Sequence, residues 1–379
     1  MIPHDAALDA AYGTDAWTPV TRVTLISPTL AGGETQVVAE TVQGTLTLSD
    51  TNWPRATLDM TVPAGVTAAD SDAPVTPYGG RVLVEMGAIV RGAQHIFQVC
   101  DLDVTEVFLE RPTNTWTIRA ASQEARVNVA TPYVSVDMWM YGQMGKGDGK
   151  TSTAVHALIS ECMPGYDPFF TLYPVTIALA SDDVLALTDE ITSRGELWPI
   201  IEEAMDLTGG EAYFRYDRRL VLRTDPVIGS PVQTLKVGSG GTITDYRDVT
   251  RWAINAVHVE YEKKSDGSLK VGLWENTDPT SPTRIDGPYG RHVRVETRQV
   301  STLPLQARCD ARAASIGKRA SAPARRLEVD CVPCGWLEPG DTVAVQLVEG
   351  STTNVLVSGV RIPLSQLDPM TLTMHDSGL

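Results

Sequence analysis

Short segments in which apolar and polar residues alternate recur through the first and last thirds of the sequence, and they restrict its fold more than any other feature. In residues 55–63, RATLDMTVP, the apolar residues Ala56, Leu58, Met60 and Val62 occupy every second position. A period of two places these side chains on one face of an extended chain, while the polar residues between them face the other way. Such segments predict half-buried β-strands.

Residues 1–118 consist almost entirely of such segments, separated by residues that favour turns. The turn signals include Gly32 and Gly33, residues 50–54 and residues 78–80. Only 6% of all residues are aromatic, while valine and threonine, which favour strands, are abundant. Short strands at even spacing are typical of small barrels and sandwiches. We predict that residues 1–118 form a barrel-like β-module.

Residues 119–244 mix helix and strand signals, which predicts an α/β module. Thr151 or Ser152 can cap a first helix. A second helix is expected near Trp198, with Pro199 in its first turn, where a missing N–H is tolerated. Apolar residues at helical spacing define the two helices: Val155, Leu158, Ile159 and Cys162 in the first, and Leu197, Ile200, Ile201, Ala204 and Met205 in the second.

Two strands are expected to follow the second helix as a hairpin. Gly209 and Gly210 provide an end to the helix, because glycine readily adopts the left-handed conformation of a helix cap. Residues 211–226 then alternate as two short strands, and residues 216–219 predict the turn between them.

Residues 245–379 return to short strands and add one helix, over residues 301–320. Ser301 or Thr302 can cap this helix. Residues 337–341, LEPGD, predict a tight turn between two of the strands. The stripe that the helix is expected to bury consists of Leu305, Cys309, Arg312 and Ile316.

The fold class predicted from this order is mainly β with an α+β insertion. Two barrel-like modules, residues 1–118 and 245–379, flank the mixed α/β module of residues 119–244. Two polar stretches, residues 71–77 and 277–290, are too short to link flexible domains, and we interpret them as long surface loops. A chain of 379 residues is long enough for two or three domains.

The segment 141–158, YGQMGKGDGKTSTAVHAL, resembles a phosphate-binding loop in front of a helix, but its spacing is wrong. A Walker A loop has four residues between its two glycines, followed by lysine and serine or threonine. Here three residues separate Gly145 from Gly149, which precedes Lys150. Because the cradle of backbone N–H groups depends on loop length, we expect no nucleotide site. We interpret this stretch as an exposed connection into a capped helix.

Other motifs also have structural interpretations. Cys331 and Cys334 form a CxxC sequence that lacks the two further ligands of a zinc site, and we interpret them as reduced thiols at a strand end. His156 is expected to be a solvated residue off the apolar face of its helix. The basic segment 317–326 is expected to be a solvated helix end. We therefore predict that the chain is not an enzyme and has no catalytic, cofactor-binding or metal-ligating residues.

The charge balance argues against specific recognition of nucleic acid. The chain has 31 Lys and Arg against 47 Asp and Glu, a net charge of −16, which would oppose binding to phosphates. The same charge would suit a channel through which DNA slides. No segment reaches the roughly 20 apolar residues of a membrane span, and the first residues lack the pattern of a secretory signal. We expect assembly in a cytoplasm.

Several segments, taken in order, carry a family resemblance. They are SDTNWPRATLDMTVP and PYGGRVLVEMG near the start, then ELWPIIEEAMDLTGGEAYFRYDRRLVLRTDP, VTRWAINAVHVEY, STLPLQARCDARAASIGKRA and LEVDCVPCGWLEPGDTVAV. This order resembles the baseplate hub, or minor tail, proteins of long-tailed bacteriophages, particularly phages of actinobacteria. The resemblance covers most of the chain, with LEPGD as its sharpest part, and residues 127–195 match least well.

The resemblance implies a structural virion protein without cofactors or active-site residues. Three copies would form a homotrimeric ring at the tail tip, joining the six-fold tail tube to the three-fold tip. The ring would enclose a channel for the tape-measure protein and later for DNA. The distal tail protein or tail tube would lie above it, and a central fibre or spike below it. The protein would be assembled into the virion in the host cytoplasm.

One alternative within the tail tip remains open at this stage. Exposed tryptophans could offer stacking faces to host-surface glycans, which would make the chain a glycan-binding module. Each of these residues would otherwise be a core or interface aromatic. The candidates are Trp17, Trp53, Trp116, Trp139 and Trp274.

Overall fold

The structure is a computed structural model, and it describes most of the chain. The described residues are 1–12, 14, 17–29, 33–39, 43–50, 53–65, 73–129, 150–162, 175–179, 197–206, 208–238, 240–250, 252–300, 303–321, 325–348, 351–365 and 368–375. Within these ranges the chain forms nineteen strands and five helices. The predicted fold class, mainly β with an α+β insertion, is confirmed.

The elements follow the chain in three groups. The first group is α1 (Ala6–Ala11), β1 (Trp17–Thr29), β2 (Gly33–Ala39), β3 (Gln43–Ser49), β4 (Ala56–Pro63), β5 (Arg81–Val90), β6 (Ala93–Glu110) and β7 (Thr115–Ala121). The second is α2 (Glu124–Val129), α3 (Thr151–Cys162), β8 (Val175–Ala178), α4 (Trp198–Asp206), β9 (Gly210–Phe214) and β10 (Leu220–Thr224). The third is β11 (Gln233–Lys236), β12 (Ile243–Thr250), β13 (Ala256–Lys263), β14 (Leu269–Glu275), β15 (Val293–Val300), α5 (Gln306–Ser321), β16 (Arg325–Cys331), β17 (Thr342–Val348), β18 (Ser351–Pro363) and β19 (Met370–His375).

Thirteen strands from both ends of the chain form one sheet. Eleven of them follow the order β12-β16-β19-β18-β3-β4-β7-β6-β5-β1-β2, while β17 pairs with β18 and β11 pairs with β17. The strands of the two predicted β-modules meet where β18 runs antiparallel to β3, with Val360 opposite Leu48 and Arg361 opposite Thr47. The first and last thirds of the chain are therefore joined by backbone hydrogen bonds.

The first hydrophobic core lies against this shared sheet. The alternating residues of β4 are buried as predicted, and they pack with buried residues of β5, β6 and β7 from the first third. Val329, Val360 and Leu372 bring β16, β18 and β19 into the same core. The period of two in the sequence thus produces the buried face of the sheet.

A second hydrophobic core joins helices α3, α4 and α5 to two small sheets. One sheet has the order β8-β10-β9 and the other has the order β14-β13-β15. Trp198 and Tyr261 are among its fully buried side chains. This core combines residues from Val127 to Leu222 with residues from Val257 to Ile316. The predicted boundaries at 118/119 and 244/245, which concern independent modules, stay predictions.

Local signals predicted several elements well. Helix α4 begins at Trp198 with Pro199 in its first turn, and strands β9 and β10 form the expected hairpin. Arg218 in its turn has φ of 62°. In the last helix the predicted stripe is buried at Cys309, Arg312 and Ile316. Leu305 was wrongly included, because it precedes the first helical residue and is 66% exposed.

Candidate functional site

The face of the shared sheet that points away from the first core is polar and continuous across the joint between β18 and β3. One cross-strand row contains Thr371, Arg361, Thr47 and Thr57, which lie opposite one another in four neighbouring strands. Residues opposite each other in register share a face, so short hydroxyl side chains surround Arg361. This surface, which we call the polar face, is built by strands from both ends of the chain.

Charges of both signs alternate on the polar face. Arg119 forms ion pairs with Glu106 at 2.7 Å and with Asp59 at 3.8 Å, from β7 to β6 and β4. All three side chains are more than half exposed, so each pair contributes about 0–1 kcal/mol.

A cavity of about 820 Å³ separates the polar face from helix α5. Its charged lining residues are Asp50, Glu211, Asp225, Lys318, Arg326, Glu328 and Arg361, and Val227, Ala311, Ala314 and Leu356 provide apolar walls. Lys318 belongs to the predicted basic segment, and it is exposed beside this cavity. In the described ranges, no group of three or more His, Cys, Asp or Glu side chains is placed to hold a metal ion.

A buried cluster of charges fixes the β9–β10 hairpin to the shared sheet. The guanidinium carbons of Arg55 and Arg223 lie 3.7 and 4.8 Å from the centre of the Tyr213 ring. Arg223 Nε donates to Glu211 Oε1 at 2.6 Å, and both arginines donate to the Pro339 carbonyl oxygen. Pro339 belongs to the predicted LEPGD turn. That turn is thus also a docking point for the hairpin.

Asp50 lies at the edge of this charge cluster. Burial raises the pKa of its carboxyl to about 7, while Arg55 acts in the opposite direction and Glu211 raises it further. Asp50 Oδ1 is buried and accepts no hydrogen bond from the described residues. The protonation state of Asp50 therefore depends on its burial beside this charge cluster.

Asp101 and Asp103 form a second link to the same hairpin. They share a face of β6, and Arg218 donates to Asp101 Oδ1 at 3.1 Å and to Asp103 Oδ1 at 2.7 Å. Arg81 contacts Asp101 from the other side at 2.7 Å. Burial raises the pKa of Asp101, although Arg218 and Arg81 both oppose the shift. These paired carboxylates connect two parts of the fold.

The two cysteines of the CxxC sequence lie inside the first core. Cys331 and Cys334 are free thiols and fully buried. A hydrogen bond with Cys334, together with burial, raises the pKa of Cys331 well above its usual range. A buried thiol with a raised pKa is a poor nucleophile and a poor metal ligand. The interpretation of this motif as a structural pair fits its surroundings.

Tryptophan exposure differs from the sequence expectation. Trp17, Trp53, Trp116 and Trp274 are partly buried and pack against the two cores. Trp139 lies outside the described residues. Trp252, which the sequence did not single out, is 82% exposed. Its position directly after the polar strand β12 is the only sequence signal that could have identified it.

Trp252 belongs to a cluster of three aromatic rings. Its ring centre lies 5.8 Å from that of Tyr289 and 5.1 Å from that of His292. Tyr289 is held in place because its hydroxyl donates to the Ala253 carbonyl oxygen and accepts from the Ala253 N–H. The cluster is a fixed aromatic platform on the surface.

The rejected phosphate loop is only partly described. Residues 141–149 lie outside the described ranges. Thr151 and Ser152, the predicted caps, are buried at the start of α3, and His156 is half-buried on the same helix. The absence of a nucleotide site stays a prediction.

Comparison with known proteins finds similarity at the level of structure. No protein-family model and no curated protein matches the chain. A tail protein from Neisseria meningitidis MC58 superimposes with a TM-score of 0.58 at 14% identity, covering 94% of this chain and 97% of that one. The 43 kDa tail protein of prophage MuSo2 from Shewanella oneidensis gives 0.58 at 11% identity, covering 94% and 98%. Prophage tail protein gp18 from Listeria monocytogenes EGD-e gives 0.53 at 10% identity, covering 94% of each chain.

These similarities show that the chain has the fold of phage tail proteins along almost its whole length. The fold is shared at sequence identities of 10–14%, although comparison of sequences finds no match. The predicted link to phages of actinobacteria stays a prediction. No helix in the described part of the chain is long and apolar enough to cross a membrane.

Proposed function

We propose that this chain is a structural subunit of a bacteriophage tail tip, where three copies form the baseplate hub ring. The observation that carries the proposal is the shared fold, which extends over 94% of this chain in each of three tail proteins. The similarity covers 97%, 98% and 94% of those three proteins, so it is not confined to one of their domains.

The architecture suits a subunit whose task is mechanical. Two sets of strands, one from each end of the chain, share a sheet through β18 and β3. Largely buried ion pairs of Arg218 with Asp101 and Asp103, and of Glu211 with Arg55, fix the β9–β10 hairpin to that sheet. In a trimer, two strand sets per chain would present six similar units, which would match a six-fold tube on one side and a three-fold tip on the other.

The same proposal defines the neighbours of the ring. The distal tail protein or tail tube would bind above it, and a central fibre or spike would bind below it. The channel would hold the tape-measure protein before ejection and DNA during it. The protein would be located at the tail tip of the virion, after assembly in the host cytoplasm, and it would catalyse no reaction.

Mass measurement and imaging test the ring. Size-exclusion chromatography with light scattering should give the mass of a trimer, either for the chain alone or after addition of its neighbouring tail protein. Negative-stain images should show a three-fold particle with a central hole. Monomers and dimers alone under both conditions would overturn the proposal.

A second candidate function, binding of host glycans, is favoured by one observation. The Trp252 platform exposes aromatic surface next to Arg291, whose guanidinium bonds to Glu275 at 2.5 Å. Aromatic faces beside charged hydrogen-bonding groups suit sugar rings. A glycan array should then give hits that disappear in Trp252→Ala, and an array without hits would eliminate this function.

A further inference from the structure

The two strand sets of the shared sheet repeat each other in order. In the first set the neighbours are β3-β4-β7-β6-β5-β1, and in the second they are β12-β16-β19-β18-β17-β11. Matching them position by position also preserves their order along the chain, from β1 and β11 to β7 and β19. The pairs correspond in direction as well, except that β11 is parallel to β17 whereas β1 is antiparallel to β5. The sheet therefore contains an internal repeat.

The longest strand of each set supports this match. Strand β6 pairs with β5 up to Asp103 and with β7 from Asp103 onward, and the pairing with β7 contains a register shift between Val104 and Glu106. Strand β18 pairs with β17 up to Leu356 and with β19 from Leu356 onward, and the pairing with β19 contains a shift between Val357 and Gly359. In both sets one long strand bends from one partner to the next, as bulged strands do.

The repeat exposes an asymmetry between the two sets. The last part of β18, residues 359–363, pairs with β19 along one edge and with β3 along the other. The corresponding part of β6, residues 105–110, pairs with β7 along one edge, and no described strand pairs with its other edge. The counterpart of β3 is β12, which pairs with β16 alone among the described strands. One chain thus contains one complete joint, between β18 and β3. It also contains the two strands that would form a second joint, β6 and β12, each with an edge that no described strand pairs with.

Strand β12 is an edge strand whose two faces are both exposed. Neighbouring residues of a strand face opposite sides, yet residues 244–248 are all exposed. Tyr246 is 45% exposed. An uncovered strand edge is a template for pairing with another chain.

We infer that β12 of one copy pairs with residues 105–110 of β6 in the next copy, repeating the joint between β3 and β18 between subunits. The inference rests on the proposed ring and names the contact that would build it. A contact between two different surfaces of the same chain is head-to-tail, and it closes into a ring when the rotation permits. Half-buried Val107 and Leu109 provide apolar surface for Tyr246.

The repeat also predicts the register of this contact. Leu46 in β3 lies opposite buried Leu58 on one side and Ile362 on the other. Tyr246 in β12 lies opposite buried Val329, so it faces the same side of the sheet as Leu46 does in the first set. The partner of Tyr246 in β6 is expected to be Val107 or Leu109, the residues opposite Ile118 and Trp116.

Disulfide trapping tests the contact. Double variants Tyr246→Cys with Val107→Cys, and Tyr246→Cys with Leu109→Cys, should form covalent oligomers up to a trimer under mild oxidation, in one of the two registers. The control pairs Tyr246→Cys with Val295→Cys, which is 55% exposed on β15 and should form no specific ladder. The charge variant Tyr246→Lys should weaken association of the otherwise wild-type chain by at least tenfold, while Tyr78→Lys, at an 87% exposed residue outside the contact, should not.

The outcomes separate this inference from the proposed ring. If the wild-type chain forms trimers but neither cysteine pair traps them and Tyr246→Lys associates normally, the contact is wrong and the ring stands. If the wild-type chain forms no trimer even with its neighbouring tail protein, the ring itself is wrong. Trapped oligomers together with a weakened Tyr246→Lys would support both.

Discussion

Arg218 donates a 2.7 Å hydrogen bond from Nη2 to Asp103 Oδ1, across 115 residues of sequence. Its other terminal nitrogen bonds to Asp101 at 3.1 Å, so one side chain in the hairpin turn satisfies two carboxylates of β6. The three side chains are at most 19% exposed. The hairpin is thereby fixed to β6, the longest strand of the first set.

Removal of this arginine should cost more than removal of a surface arginine. Arg218→Ala leaves Asp101 and Asp103 half-buried without their common donor, and we expect a loss of about 1.5–3 kcal/mol in the free energy of unfolding. The matched control is Arg247→Ala, whose side chain is 76% exposed and 4.0 Å from Glu328, with an expected change within about 0.5 kcal/mol. Urea unfolding measures both. Equal effects of the two substitutions would show that the link is energetically unimportant.

Strand β14 approaches the backbone of helix α5 closely at Gly272. A Cβ at this position would lie 2.0 Å from the carbonyl oxygen of Cys309, which is backbone and cannot rotate away. We expect Gly272→Ala to destabilise the second core by about 1–3 kcal/mol through overpacking.

A second glycine provides the control for this effect. At Gly229 a Cβ would meet nothing nearer than the Thr342 hydroxyl at 3.9 Å, so Gly229→Ala should change stability by less than about 1 kcal/mol. Thermal unfolding followed by circular dichroism compares the two variants. An unchanged melting temperature in Gly272→Ala would show that the helix moves freely away from the sheet.

Asn255 organises the long loop that carries the aromatic platform. Its amide nitrogen donates to the carbonyl oxygens of Thr283 and Gly290 at 2.9 and 2.6 Å, and its Oδ1 accepts from the His292 N–H at 2.7 Å. Asn255→Asp keeps the shape and loses both donors. We expect a loss of about 3 kcal/mol or more, since a buried acceptor then faces two carbonyl oxygens.

Hydrogen exchange can assign that loss to the loop. Backbone amides of residues 276–292 should exchange faster in Asn255→Asp than in the wild-type chain. The control Asn354→Asp changes the same chemical group at an exposed position of β18 and should leave the exchange of the loop unchanged. Unaltered protection in Asn255→Asp would mean that other bonds hold the loop.

The sequence predicts those parts of the fold that depend on local pattern. Residues 55–63 alternate every two positions, and β4 buries the residues that this pattern places inward. The approximate start of α4 followed from Pro199, because proline has a defined place at the start of a helix. Leu305 was misplaced because its spacing fits the helical stripe although the helix starts one residue later.

Long-range features of the fold and of the candidate site could not be predicted in this way. The pairing of Arg361 with Thr47 depends on two segments from opposite ends of the chain, and nothing in either segment specifies the other. Glu124 is 1% exposed and accepts a hydrogen bond from the Phe214 N–H at 2.9 Å, which gives a charged residue a core position. Trp252 is 82% exposed, whereas its residue type alone indicates a buried position.

Asp50 should make the stability of the fold depend on pH. Its carboxyl pKa is raised from 3.8 to about 7 in the folded chain, chiefly by burial. Between these two values the folded state holds a proton that the unfolded state has released, so stability falls as the pH rises through this window. The stabilising contribution is fully present below about pH 3.8, is lost progressively up to about pH 7 and changes little above it.

The substitution Asp50→Asn isolates this contribution, because the amide has nearly the same shape and does not ionise. The variant should resemble the wild-type chain near pH 4 and be more stable near pH 8, and the difference should grow by at most about 1.4 kcal/mol per pH unit. Denaturant unfolding at several pH values measures it, with Asp59→Asn, at a side chain that is 67% exposed, as the control without such a trend. A difference that shrinks with rising pH would require Asp50 to be ionised and stabilised by Arg55, because only a carboxylate with a lowered pKa stabilises the folded state more strongly as the pH increases.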